Sequence, residues 1–487
     1  MITNRAFGLP LFFACLLTST LSAQGLEYIK THYTKTEHQI PMRDGLRLFT
    51  AVYTPKEKSQ KYPLLMLRTQ SGLRPYGTEQ YLADLGPSPL FGKEGYIFVY
   101  QDIRGRWMSE GTFVDHRPHN PAKGPKDVDE SSDTYDTIEW LLKNVPNHNG
   151  KVGHYGTSYR GFLVAAGMID AHPALKAASP QAPIIDWFMG DDWHHNGAFF
   201  LSHAFFYAPR HGTPRPTPVK EPVYAPFDFG TPDGYDFFLR LGPLSNVDKK
   251  YFKGQNTLWN DLLTHSTYDE FWKARNLRPH LKNIKPAVLT VGGWYDAENL
   301  FGVLETHKRL EASGANNTFV MGPWIHGGWN SGTGSALGPV TFDANTAEFY
   351  REKVELPFFN FHLKGKGELK QPKVLAFETG TNKWREYATW PPKGTKPLSL
   401  YLHPEGQLAD APPKPGGEAF DEYVSDPVKP VPYIDKVGTL MLPEYMCADQ
   451  RFASRRPDVL VERLDLRARH RVGDAVDPAL PMLRRRV

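Results

Sequence analysis

Six consecutive residues, Gly156-Thr157-Ser158-Tyr159-Arg160-Gly161, carry the strongest chemical signal in the chain. They follow a short apolar run at 152–155 that reads as a strand, and they open a helical pattern that starts near Tyr159. A serine on such a sharp turn is held with its hydroxyl exposed, and the flanking glycines let the backbone turn and the helix pack closely. The helix N-terminus also offers backbone N–H groups to a developing oxyanion, chiefly that of Tyr159. An ordinary glycine-rich strand-to-helix turn shares the pattern, so the serine signifies chemistry only if partners exist for it.

A serine hydroxyl is a weak nucleophile near neutral pH and needs a general base, which in turn needs an orienting carboxylate. On a sheet of this kind the order is serine, acid, histidine, each after a strand. The apolar run 287–291 leads into Gly292-Gly293-Trp294-Tyr295-Asp296, and 318–321 leads into Gly322-Pro323-Trp324-Ile325-His326. Asp296 and His326 therefore fit in order and position. His194 and His195 adjoin Asp191 and Asp192, but they precede Asp296, and no second ligand cluster lies at a familiar metal spacing. Neither metal nor cofactor is expected.

The elements that must position these residues read as alternating strands and helices. Residues 38–53 suggest a hairpin turning at Asp44-Gly45. Strands are predicted at 64–67, 97–100, 152–155, around 177–178, 287–291 and 318–321, with helices at 132–143, 159–169 and 298–310. This alternation argues for an α/β fold, a mostly parallel sheet covered by helices on both faces. Residues 186–283 interrupt it and are rich in Trp, Phe, His, Tyr and Pro, which suits a cap over a site. From 371 to 461 short strand-like segments predict an all-β domain, and 462–487 lose both alternation and aromatics.

Composition sets outer bounds. The 487 residues are 40% hydrophobic and 23% charged, enough to bury a core, and the length suggests about three domains. A mean hydropathy of -0.47 excludes a transmembrane bundle. The net charge of +4 arises from Arg5 and from residues 462–487, where seven Arg face Glu462, Asp465, Asp474 and Asp477. The body between is neutral, so nothing recommends a nucleic-acid partner. Arg5, an apolar run from Leu9 to Leu17 and Leu21-Ser22-Ala23 have the layout of a signal peptide cleaved near Ala23. The expectation is a secreted or periplasmic protein without a membrane anchor after cleavage. Its mature form keeps Cys447 alone and so has no internal disulfide.

Beyond the serine turn, further runs point to a family. Gln101-Asp102-Ile103-Arg104-Gly105-Arg106 with Ser109-Glu110-Gly111, the stretch from Asp136 to Trp140, and Gly190-Asp191-Asp192-Trp193 resemble the Xaa-Pro dipeptidyl-peptidase and cocaine-esterase-like hydrolases. Within that superfamily the chain most resembles the α-amino acid ester hydrolases, over residues 37–461. The resemblance implies an α/β-hydrolase core in two parts, 24–185 and 284–370, a helical cap at 186–283 and a C-terminal jelly roll at 371–461. It also implies Ser158, Asp296 and His326 as triad, and a carboxylate cluster for the substrate's α-ammonium group at Asp192, Glu298 and residue 299.

Three departures accompany it. Residue 299 is Asn, which offers the ammonium a hydrogen bond but no charge. Where the family carries Arg-Thr-Pro-Tyr, whose tyrosine completes the oxyanion hole, this chain has Arg68-Thr69-Gln70-Ser71, leaving Ser71 or Tyr76 as candidate donors. Residues 462–487 are Arg-rich and unlike the jelly-roll strands of relatives, as a frameshifted or replaced tail would be. A jelly roll cut short there would leave apolar faces uncovered.

The expected function is hydrolysis of α-amino acyl esters or amides through an acyl-enzyme, with a small ester, amide or short peptide as partner and a homo-oligomer left open. Two alternatives stand beside it: a general carboxylesterase or Xaa-Pro dipeptidyl-peptidase, and a catalytically impaired remnant that at most binds.

Overall fold

The structure, a computed structural model, describes residues 25–461 except 225, 226, 415 and 417–419, together with the short strand Arg463–Leu464. The expected signal peptide and most of the Arg-rich tail lie outside the described residues.

The apolar runs form one ten-stranded sheet. Its strands are β1 (Tyr33–Pro41), β2 (Arg47–Pro55), β3 (Tyr62–Thr69), β4 (Ile97–Asp102), β5 (His148–Thr157), β6 (Leu175–Gln181), β7 (Ala287–Gly293), β8 (Asn317–Gly322), β9 (Val374–Glu378) and β10 (Lys383–Tyr387). In space they run β1-β2-β4-β3-β5-β6-β7-β8-β9-β10. From β4 to β9 neighbours are parallel, while the hairpin β1-β2 and the edge strand β10 are antiparallel. The central strands are buried along nearly their whole length, as covered parallel strands must be.

Helices cover both faces. Helix α1 (Glu130–Asn144) starts at a capping box, in which the Asp129 carboxylate accepts from the Ser132 N–H and the Ser132 hydroxyl from the Asp129 N–H. Helix α2 (Tyr159–Gly167) is almost entirely buried. The segment between β6 and β7 folds into helices α3 (Leu201–His211), α4 (Gly234–Leu241), α5 (Thr257–Thr264) and α6 (Glu270–Arg275), whose aromatic core includes Phe205, Phe237 and Trp259. Helix α7 (Leu300–Ala312) follows β7. Arg106, in the loop after β4, joins core to cap by donating to the Gln70 and Arg210 carbonyls at 3.2 and 3.0 Å.

The boundary expected at residue 371 is corrected by the pairing. Val374–Glu378 extends the main sheet beside β8, and Lys383–Tyr387 closes its edge, so neither belongs to a separate β domain. The run 374–377 is buried; Val374, Leu375 and Ala376 join the core of the main sheet, and Phe377 packs with Leu337 and Phe342. What remains of the expected all-β domain among the described residues is β11 (Tyr401–His403) and β12 (Gln407–Ala409), paired with Arg463–Leu464. Exposed apolar side chains gather here, Leu398, Phe420, Val424, Val428 and Val437 each showing 59% or more of their surface. No helix among the described residues is long and apolar enough to cross a membrane.

Candidate active site

Ser158 sits between β5 and α2 with φ 68° and ψ -127°, a backbone conformation that costs a non-glycine residue on the order of 1–3 kcal/mol. Tertiary contacts hold it there. Its N–H donates to the Gln181 carbonyl at the end of β6 at 2.9 Å, and its carbonyl accepts from the Phe162 N–H at 2.9 Å. The two glycines of the motif are required by close approach. A Cβ on Gly161 would lie 2.4 Å from the Gln181 carbonyl oxygen, and one on Gly156 would lie 2.6 Å from Cβ of Arg160.

Asp296 and His326 follow the carboxyl ends of β7 and β8, beside the end of β5 that carries Ser158. His326 Nδ1 and Asp296 Oδ2 are 2.9 Å apart. The other Asp296 oxygen accepts from the N–H groups of Glu298 and Asn299 at 2.8 and 2.9 Å, which fixes the carboxylate and shapes the turn into α7. Burial opposes the charge of Asp296, yet His326 and these N–H donors hold its carboxyl below the usual range. Burial likewise disfavours a charged His326, but Asp296 and Glu298 outweigh it and raise the imidazole to about 10.

The turn that fixes Asp296 also delivers a second acidic group. The Asp192 N–H donates to the Glu298 carbonyl at 3.1 Å, tying the start of the cap to this turn. Asp192 Oδ2 accepts from Asn299 Nδ2 at 2.9 Å and from Trp187 Nε1 at 3.3 Å. Glu298 Oε2 lies 3.5 Å from His326 Nε2. Into the same space α3 projects His203, whose Nε2 is 3.0 Å from Asp192 Oδ1 and 3.8 Å from Glu298 Oε2. The donor atoms of Asp192, His203 and Glu298 all lie within 4.8 Å of one another. Each carboxylate is already matched to an imidazole, so we assign no metal to the cluster.

Ser158, Tyr159, Asp192, Glu298 and His326 line one cavity of about 400 Å³, with Gln70 and Ser71 on the core side and His203, Phe206, Tyr207 and Arg210 on the cap side. Asp296 stands behind His326 and Asn299 behind Asp192. Tyr76, one of two candidates for an upstream oxyanion donor, does not line this cavity. Its hydroxyl donates to Asp102 Oδ2 at 2.9 Å and accepts from the Leu73 N–H at 3.2 Å, which makes it a brace of the loop after β3. Asp191 is likewise structural, accepting from the N–H groups of Ile185, Asp186 and Gly302. Among the cap aromatics, Trp187 and Trp193 are packed core, whereas Phe199 and Phe200 line an adjoining apolar cavity of about 960 Å³. The two cavities share Ser202 and Leu440. His203 escaped the sequence reading, although 203, 206, 207, 210 and 211 have the spacing of one helical face.

The sequence profile of the X-Pro dipeptidyl-peptidase (S15) family matches residues 44–328, more than half of the chain. The chain belongs to the S15 family. This S15 chain is 28% identical over 455 residues to cocaine esterase of Rhodococcus sp. (strain MB1 Bresler), covering 86% of this chain and 72% of the esterase. Among solved structures it is similar to an α-amino acid ester hydrolase, at 34% identity and a TM-score of 0.78 over 89% of this chain and 72% of that one. An aminopeptidase from the marine sediment archaeon Thaumarchaeota archaeon stands equally near, at 35% identity, TM-score 0.78 and the same coverage. The S15 chain is thus a hydrolase with an α/β-hydrolase core.

Proposed function

We propose that this S15 hydrolase cleaves esters or amides of α-amino acids through an acyl-enzyme on Ser158. His326, oriented by Asp296, takes the Ser158 proton as the hydroxyl attacks the carbonyl carbon, and returns a proton to the leaving alcohol or amine. Water then attacks the acyl-enzyme by the same route and releases the amino acid. The Tyr159 N–H, at the free end of α2, stabilises the oxyanion together with a donor from the Gln70-Ser71 segment that borders the cavity.

The observation that carries the amino-acyl part of this reading is the meeting of Asp192 and Glu298 beside Ser158 and His326 in one small cavity. Two carboxylates in a partly desolvated space attract a cation strongly, and a substrate ammonium carried on the carbon next to the scissile carbonyl would fall within their reach. The names of the two 34–35% identical structural relatives, an amino acid ester hydrolase and an aminopeptidase, support the same substrate class. Comparing phenylalanine methyl ester with methyl 3-phenylpropanoate, which lacks only the amino group, tests it. The expected outcome is a kcat/KM at least tenfold higher for the amino ester, and equal values would refute ammonium recognition. Export with cleavage near Ala23 belongs to the same proposal and is checked by the N-terminal sequence of protein recovered outside the cytoplasm.

A further inference from the structure

The acidic cavity already holds an imidazole against its two carboxylates. His203 Nε2 stands 3.0 Å from Asp192 and 3.8 Å from Glu298, against both carboxylates that the proposed function gives to the substrate ammonium. We propose that His203 is a specificity-determining residue, the resident counter-ion of this pocket, which yields its charge to solvent as a proton when the substrate's α-ammonium binds. This rests on the reading of Asp192 and Glu298 as ammonium partners and says how that pocket discriminates.

Two cations side by side against this pair of carboxylates repel each other. Within the acid–imidazole cluster Asp192, Glu298 and Asp296 bring three negative charges and protonated His203 and His326 two positive ones, while Arg160 and Arg210 add positive charge to the cavity wall. An incoming ammonium that loses no proton elsewhere would make the cluster neutral, but it would sit against an imidazolium in a buried space. Asn299 contributes no third acid to hold both cations. His326 is held by Asp296, so the proton that can leave is that of His203.

The surroundings of His203 fit a proton that is held yet releasable. Its ring lies near Phe200, with centroids 5.4 Å apart, and near Trp193 at 5.6 Å, neither of which carries charge. It occupies the first turn of α3, where the positive end of the helix dipole opposes a cation. The titratable groups that act on it are Asp192 and Glu298, which favour the charge, and His326, His195 and His211, which oppose it, with Tyr207 at 6.3 Å ring to ring and Arg210 on the same cavity wall. Burial also opposes the charge, but the two carboxylates outweigh it and hold the imidazole above its ordinary value.

A neutral ester displaces no proton, so the two substrates of the previous comparison should differ in their pH dependence. Steady-state kinetics from pH 5 to 8 should show KM for phenylalanine methyl ester falling about tenfold per pH unit below the His203 midpoint, as release of one proton requires. KM for methyl 3-phenylpropanoate should stay flat. In His203→Asn and His203→Gln, each first checked for a native melting transition, the amino-ester slope should disappear and KM at pH 5.5 should fall several-fold, while kcat changes less. Calorimetric titration of Ser158→Ala with the amino ester in buffers of different ionisation enthalpy should show close to one proton released at pH 6, and none in the His203→Asn double variant. A clear amino preference that is independent of pH, or a slope retained in both His203 variants, overturns the proposal while leaving ammonium recognition intact. No amino preference at any pH overturns both.

Discussion

At the scale of single residues, the proposed mechanism ties the pH dependence of the reaction to what surrounds His326. A general base must be neutral to accept the Ser158 proton, and Asp296 and Glu298 hold this imidazole charged to about pH 10 against the effect of burial. For a neutral ester, kcat/KM should therefore rise with pH well beyond 7. Glu298→Gln removes the carboxylate 3.5 Å from Nε2, so it should shift that rise toward neutral pH and increase neutral-ester turnover at pH 7 several-fold, while lowering amino-ester turnover. Asp296→Asn should lower kcat on the order of 10⁴-fold, because the imidazole loses its orienting partner. A pH-rate profile of each variant checks both outcomes. Ser158, Asp296 and His326 were legible in the sequence because each follows a strand in a recognisable order. Asp192, Glu298 and Asn299 came only from the resemblance, and His203 from neither, because a lone histidine in a cap helix has no local signal until the cap folds onto the core. Tyr76 misled for the same reason: whether its hydroxyl reaches the site or braces a loop depends on Asp102, 26 residues away.

At the scale of elements, the site depends on how closely α2 approaches β6. Gly161 is the contact point, and its missing side chain is what lets the Ser158 N–H reach the Gln181 carbonyl. Gly161→Ala should shift α2 outward, lower the melting temperature by several degrees and cut kcat by at least tenfold, whereas Gly150→Ala, with open space around it, should leave kcat unchanged at some cost in backbone strain. Thermal melts and initial rates distinguish the two. The parallel strands were readable as short apolar runs between helical patterns. The same kind of run at 374–377 reads as part of a separate β domain but pairs with β8, because a run buried on both faces states that it is covered but not by which neighbour.

At the scale of the molecule, the candidate catalytic cavity is assembled from three parts of the chain: strand ends of the core, helix α3 of the cap, and Leu440 and Met441 from the C-terminal region. Met441→Ala should therefore raise KM for bulky esters a few-fold with little change in kcat. Beneath the site, Glu355 is buried and accepts from Gln181 Nε2 at 2.7 Å and from the Tyr350 hydroxyl at 3.2 Å. Burial raises its carboxyl to about 7, so the folded state favours the protonated form. The stability it supplies is complete below the ordinary carboxylate range and is lost as pH rises through about 7. Glu355→Gln should thus melt about 2–4 °C above the parent protein at pH 8.5 and no higher at pH 5, as a scan of melting temperature against pH would show. The kinetic expectations presuppose an assembled and activated nucleophile. The most direct test is intact-mass and peptide mass spectrometry after fluorophosphonate treatment, comparing the parent protein with Ser158→Ala. One added phosphonyl group, confined to Ser158 and absent from the variant, is the result expected. An unlabelled protein with a native melting transition would contradict the acyl-enzyme mechanism and leave a fold that only binds.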